Sequence, residues 1–198
     1  MLKVAIVGNI ASGKSQVEKI LLSLGYKVAD TDKINHYILL TDKKAIDEIK
    51  NAFESEDIMD EDGCISRQKL GQIVFSSDYK KEILEEILHK RIIAKVQDFF
   101  NVNETEPMVF VSVPLLFETH QEKMFDKIIF ISADEDIRLK RLMARNNYSE
   151  KYARNRIASQ EDESIKLKKS DFIIYNNTDF NSLRKQVNEI IVKLKEIN

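Results

Sequence analysis

Eight residues near the amino end, Gly8-Asn9-Ile10-Ala11-Ser12-Gly13-Lys14-Ser15, constrain the fold of this 198-residue chain more than any other stretch. Before them, residues 2–7 are apolar at every position but Lys3 and read as a buried strand. After them, Val17, Ile20, Leu21 and Leu24 recur at helical spacing, with Gly25 as the stop. A strand, a short turn and a helix in that order match G-x-x-x-x-G-K-S/T in full. The spacing has a physical basis. A short loop entering a helix turns its backbone N–H groups inward around an anion, and the helix end adds about half a positive charge. Glycine at 8 and 13 permits backbone angles and close approaches that a Cβ blocks. Lys14 reaches the β- and γ-phosphates, and the Ser15 hydroxyl is a ligand for Mg²⁺. The loop is therefore expected to bind a nucleoside triphosphate.

Four further apolar runs, at residues 26–29, 108–113, 127–132 and 172–175, read as strands. Helical patterns fill residues 66–75, 80–100, 135–146, 150–169 and 180–195. The strands lack polar alternation, so they are expected to be buried on both faces. Their separation by helices then predicts an α/β fold with a five-stranded parallel sheet between helical layers. The interval 32–106 is mostly helical and exceeds one crossover, which predicts an added helical lobe at about 33–106. No apolar run approaches the ~20 residues of a spanning helix. Residues 4–7 are too short for a signal-peptide core. A lone Cys64 excludes an internal disulfide, and three scattered histidines have no metal-ligand spacing. A single cytoplasmic domain, away from membranes, is the expectation. With 31 basic against 33 acidic residues, the balance argues against a broad nucleic-acid surface.

Charge is unevenly spread. Residues 42–62 are strongly acidic and read as a solvated helix face, whereas 138–169 are strongly basic. Three classes share the phosphate loop. A GTPase needs N-K-x-D, but Asn176-Asn177-Thr178-Asp179 lacks the lysine. A motor ATPase ends a strand in Asp, whereas the run at 109–113 ends in Pro114-Leu115-Leu116. A small-molecule kinase remains, for which an acidic group on a neighbouring strand handles the acceptor and arginines close over the phosphates. Asp30-Thr31-Asp32, after the second strand, supplies such a group if the backbone there is extended; Asp32 would equally serve as a helix cap. Arg138, Arg141 and Arg145 fall on one helical stripe and would make an arginine-bearing lid at about 138–169, or an exposed helix paired with Asp134, Glu135 and Asp136.

Taken together, the phosphate loop, Asp30-Thr31-Asp32, Val113-Pro114-Leu115-Leu116-Phe117-Glu118, Arg141-Leu142-Met143-Ala144-Arg145-Asn146, Arg156-Ile157 with Gln160, and Lys166 with Asp171 and Asn176 resemble the dephospho-coenzyme A kinases over nearly the whole chain. The resemblance implies a P-loop NTPase fold in three layers with a helical acceptor-binding lobe. It implies ATP-dependent phosphorylation of the ribose 3′-hydroxyl of dephospho-coenzyme A, the last step of coenzyme A synthesis. ATP would be held by Gly8, Ala11, Ser12, Gly13, Lys14, Ser15 and Gln16, with Arg141 and Arg145 closing and Asn176 near the adenine. Mg²⁺ would sit by Ser15. Lys14, Asp32 and Arg141 would carry catalysis, Asp32 as base. Asp32, His89, Leu115 and Phe117 would contact the acceptor, although His89, Leu115 and Phe117 also read as core. The family usually has glycine where Asn9 stands and glutamine where Arg138 stands. A kinase for a nucleoside monophosphate or a sugar acid, and a binding module without turnover, are the other readings.

Overall fold

The computed structural model describes residues 1–197. It resolves into two compact units, residues 1–30 with 103–198 and residues 31–102. The first unit carries β1 (Leu2–Gly8), α1 (Lys14–Ser23), β2 (Lys27–Asp30), β3 (Met108–Ser112), β4 (Lys127–Ser132) and β5 (Phe172–Tyr175). All five strands are parallel, in the order β2-β3-β1-β4-β5. β3 is buried throughout, and β1 and β4 are buried but for Lys3 and Lys127, so alternation had no polar face to mark. Val4, Ile6, Phe110 and Ile131 pack against Val17, Ile20 and Leu21 of α1 and against the carboxy-terminal helix, which supplies Leu183, Val187 and Leu194. Each such side chain contributes ~1.5–3 kcal/mol by leaving water. Leu24, expected on the apolar face of α1, is instead exposed as its cap residue, and Gly25 turns the chain away at φ 87°.

The remaining regular structure of this unit is helical. The basic segment forms α6 (Glu135–Asn146), α7 (Glu150–Ala158) and α8 (Glu163–Lys168), and the chain ends in α9 (Phe180–Ile197). Sequence periodicity predicts one helix over 150–169; the structure breaks it at 159–162. The break has a local cause. Asp162 accepts a hydrogen bond from Ser164 N at 2.9 Å and caps a new helix, a backbone bond that also holds its carboxyl below the usual range. Leu139 and Leu142 of α6 pack on Ala153 and Ile157 of α7, with Ile10 and Ala11 of the loop against them. The arginine helix is thus seated on the phosphate loop. Behind it, Lys166 is buried and its ammonium lies 2.5 Å from Glu118 Oε1, fixing the segment after β3 to α8.

The second unit is four helices: α2 (Thr31–Thr41), α3 (Lys43–Ala52), α4 (Arg67–Phe75) and α5 (Asp78–Val102). Ile38, Leu39, Ile49, Phe53, Leu70 and Leu88 form its core. The acidic run at 42–62 has structural work here beyond solvation. Asp42 caps α3 through Ala45 N at 3.1 Å and pairs with Arg91. Glu48 lies 2.7 Å from the same Arg91 guanidinium, which holds the carboxyl below the usual carboxylate range. Glu56 pairs with Lys80, and Asp57 with Lys69.

Candidate active site

β1 delivers the chain directly into the loop, and α1 takes it out. Gly8 is needed for space: a Cβ there would stand 2.6 Å from the carbonyl oxygen of Ile131 on β4. Gly13 is needed for conformation as well, at φ 102°, and a Cβ would collide with the Asn176 amide. Between them the non-glycine residue in the left-handed region is Ala11, at φ 60°, and not Asn9. Ser12 N closes the turn on Asn9 O at 3.1 Å, and Gln16 N returns to Gly13 O at 2.9 Å. The N–H groups of Ala11 and Gly13 donate to no protein group among the described residues. A loop that leaves such donors open at a helix amino end is built for an anion.

Lys14 curls back from the first turn of α1, its Nζ donating to Gly8 O at 3.0 Å, so the ammonium lies over the loop. Ser15 and Gln16 are exposed beside it. Arg141 reaches the loop from α6: Nη1 donates to Ser12 O at 3.4 Å and Nη2 to Asn176 O at 3.0 Å. Partial burial draws its pKa below the ordinary guanidinium value, yet the group remains a cation. Arg145 does not join it; exposed, it turns to Asn146 Oδ1 at 2.8 Å. Arg138 is buried, its Nε donating to Ala133 O at 3.0 Å. One helical stripe therefore yields three different environments.

Asn176, expected near a base, lies against the phosphate loop. It is 2% exposed, and its amide donates to Ser12 O at 2.8 Å and to Gln16 Oε1 at 3.4 Å. Its side chain holds the loop from beneath. Asp30 ends β2, whereas Asp32 is exposed in the first turn of α2. The extended Asp-Thr-Asp geometry is not what forms, and Asp32 lies inside the helix instead of capping it, because α2 already starts at Thr31. Leu115 is exposed after β3, while Phe117 is buried with the Lys169 ammonium 5.5 Å above its ring. His89 is half-buried on α5. Among the described residues no three His, Cys, Asp or Glu side chains gather as a metal cluster, and no helix is long and apolar enough to cross a membrane.

Sequence reasoning missed Glu163 and Ser132, and named Gln160 only within the family resemblance, without a role. Ile10 N donates to Gln160 Oε1, and Asn9 Nδ2 to Glu163 Oε2, each at 2.8 Å. Ser132 Oγ donates to Glu163 Oε1 at 2.5 Å. For Glu163 the nearest sequence signal was the polar Ser159-Gln160-Glu161-Asp162 stretch just before it, inside a helical pattern.

Comparison with known proteins identifies the family. The family model described as dephospho-CoA kinase matches residues 2–182. A dephospho-CoA kinase from Oceanobacillus iheyensis is 37% identical over 196 residues, covering 97% of each chain. The solved dephospho-CoA kinase from Campylobacter jejuni superposes with TM-score 0.74 at 33% identity, over 98% of this chain and 97% of that one. A solved protein from Thermus thermophilus reaches TM-score 0.85 at 27% identity over 98% and 97%. With likeness of sequence and of fold running end to end, the chain belongs to the dephospho-CoA kinase family, enzymes that use ATP.

Proposed function

We propose that the chain transfers the γ-phosphoryl group of ATP to the ribose 3′-hydroxyl of dephospho-coenzyme A, giving coenzyme A and ADP, with Lys14, Asp32 and Arg141 carrying the chemistry. Family membership supports the reaction. The observation that carries the residue roles is the loop itself: open N–H donors at Ala11 and Gly13, with Lys14 and Arg141 both drawn onto its carbonyls. Phosphoryl transfer is catalysed mainly by positioning and by neutralising charge on the moving group. Two cations held at one loop suit that task. Lys14 serves the β- and γ-phosphates, and Arg141 serves the γ-phosphate as charge shifts during transfer.

Gly8, Ser12 and Asn176 hold the loop's shape, while Ala11, Gly13, Lys14, Ser15 and Gln16 border the nucleotide. Arg145, exposed on the last turn of α6, reaches the nucleotide only by turning away from Asn146. Asp32 accepts the proton of the attacking hydroxyl. Its place supports this: it follows the carboxyl end of a parallel strand, where sites in such sheets gather. Leu115, exposed two residues before buried Phe117, offers an apolar contact to the acceptor, and His89 offers a polar one. Ser15 fits a Mg²⁺ ion, since its hydroxyl is a hard oxygen donor exposed in the first turn of α1 beside Lys14. When bound, that ion neutralises phosphate charge. Closure of the arginine-bearing segment over bound ATP would expel water that otherwise hydrolyses it.

ADP release measured with dephospho-coenzyme A, nucleoside monophosphates and sugar acids as acceptors tests the assignment. Release driven by dephospho-coenzyme A above all others is the expected result. Equal release with a sugar acid, or none with any acceptor, would remove it.

A further inference from the structure

A cluster of polar side chains beside the loop is left unused by the chemistry above. Glu163 is its centre. One carboxylate oxygen, Oε2, accepts from Asn9 Nδ2 at 2.8 Å, and the other, Oε1, from Ser132 Oγ at 2.5 Å. Arg138 Nη2 lies 3.9 Å from Oε2, itself held by the Arg138 Nε bond to Ala133 O. Three residues earlier, Gln160 accepts from Ile10 N at 2.8 Å. Two side chains from one short segment thus hold two successive loop residues, Asn9 and Ile10. The next residue, Ala11, is the left-handed one at φ 60°. Alanine is costly in that conformation and keeps it only where its surroundings over-determine it.

A ligand site is the competing use of this cluster. A pocket of about 170 Å³ opens here, lined by Asn9, Arg138 and Gln160 but also by Glu135, Glu161 and Asp162. Those carboxylates repel a phosphate, and the charge of Arg138 already faces Glu163. Holding the loop is the use that the bonds themselves support.

We propose that Glu163 is a positioning residue for nucleotide binding: acting through Asn9, and together with Gln160, it keeps residues 9–11 in the curve that turns the loop's N–H groups inward. This rests on the reading that the loop holds the triphosphate.

Calorimetry with ATP in magnesium buffer tests it on the full chain, alongside the KM for dephospho-coenzyme A. Asn9→Ala and Glu163→Ala should each weaken ATP binding about tenfold, the size of one hydrogen bond to a charged group. The double variant should bind no more weakly than the worse single, since both remove the same link. Glu163→Gln, which keeps an acceptor for Asn9, should recover most of the affinity, and the acceptor's KM should stay put. Unchanged ATP affinity, single effects that multiply to about a hundredfold, or losses in ATP affinity and acceptor KM that move together without glutamine rescue would each overturn the proposal. If Glu163→Ala does not fold, Asn9→Ala and Glu163→Gln decide the question, because Asn9 is outside the left-handed region and accepts alanine without strain. A parent chain that binds no ATP overturns the nucleotide reading itself, and is recognised before any substitution is made.

Discussion

Replacing Gly13 by alanine separates the cost of backbone conformation from the cost of a lost contact. At φ 102° the backbone lies beyond the usual left-handed well, so any Cβ adds about 1–2 kcal/mol of strain. The added methyl would also strike Asn176 Nδ2, whose bond to Ser12 O is worth about 1 kcal/mol and whose displacement carries off the Asn176 Oδ1 that accepts from Arg141 Nη2 at 3.5 Å. Together these give a loss of about 2–4 kcal/mol, with the damage centred on the loop. Gly25→Ala is the control: φ is 87°, but nothing lies within 4 Å of the new Cβ, so only the ~1–2 kcal/mol of strain applies. Urea unfolding reads both losses, and calorimetry with ATP reads function. Gly13→Ala should lose both stability and nucleotide binding, whereas Gly25→Ala should lose stability alone. Equal unfolding losses with ATP binding intact in both would refute the reasoning, because Asn176 would then not be clamping the loop.

Asp32→Ala should lower turnover by about 10²–10⁴-fold while ATP affinity holds, as steady-state rates beside calorimetry would show; a fully active variant removes the base assignment. Arg141→Ala should cost far more turnover than Arg145→Ala, since Arg141 is bonded to the loop and Arg145 only to its neighbour; kinetics that rank them the other way contradict the geometry. Asp162 is a carboxylate held below its ordinary pKa by the Ser164 N–H, so its cap stabilises α8 above the ordinary carboxylate range and is lost as pH falls through the lowered value. Asp162→Asn, which caps without titrating, should abolish that acid-side loss in a pH series of unfolding midpoints.

The strands were legible because buried parallel strands are written as unbroken apolar runs, and β1, β3, β4 and β5 fall within a residue or so of those runs. Helix boundaries were less so. Periodicity carries through 150–169 without interruption, and what breaks it is a side-chain cap at Asp162 together with the engagement of Gln160 by Ile10, a residue 150 positions away. The same distance hides Glu163 from Asn9. Lys14 and Arg141 could be singled out because their chemistry is local to a motif or a helix stripe. That Arg138 faces a carboxylate depends on what α6 packs against, which no helical wheel contains, whereas Arg145 bonds only its own helix neighbour Asn146. Asn176 was singled out by position; that its amide also bonds Ser12 and Gln16 of the loop is a contact across more than 150 residues that the sequence does not display.

The most direct test is to find where the phosphate goes. Incubating the purified chain with ATP, magnesium and dephospho-coenzyme A, and reading the product by phosphorus NMR and mass spectrometry, should show a monoester on the ribose 3′-oxygen with ADP formed in equal amount, and neither with Lys14→Ala. ATP consumed without a new ribose phosphate, or phosphate placed on another hydroxyl, would contradict the account.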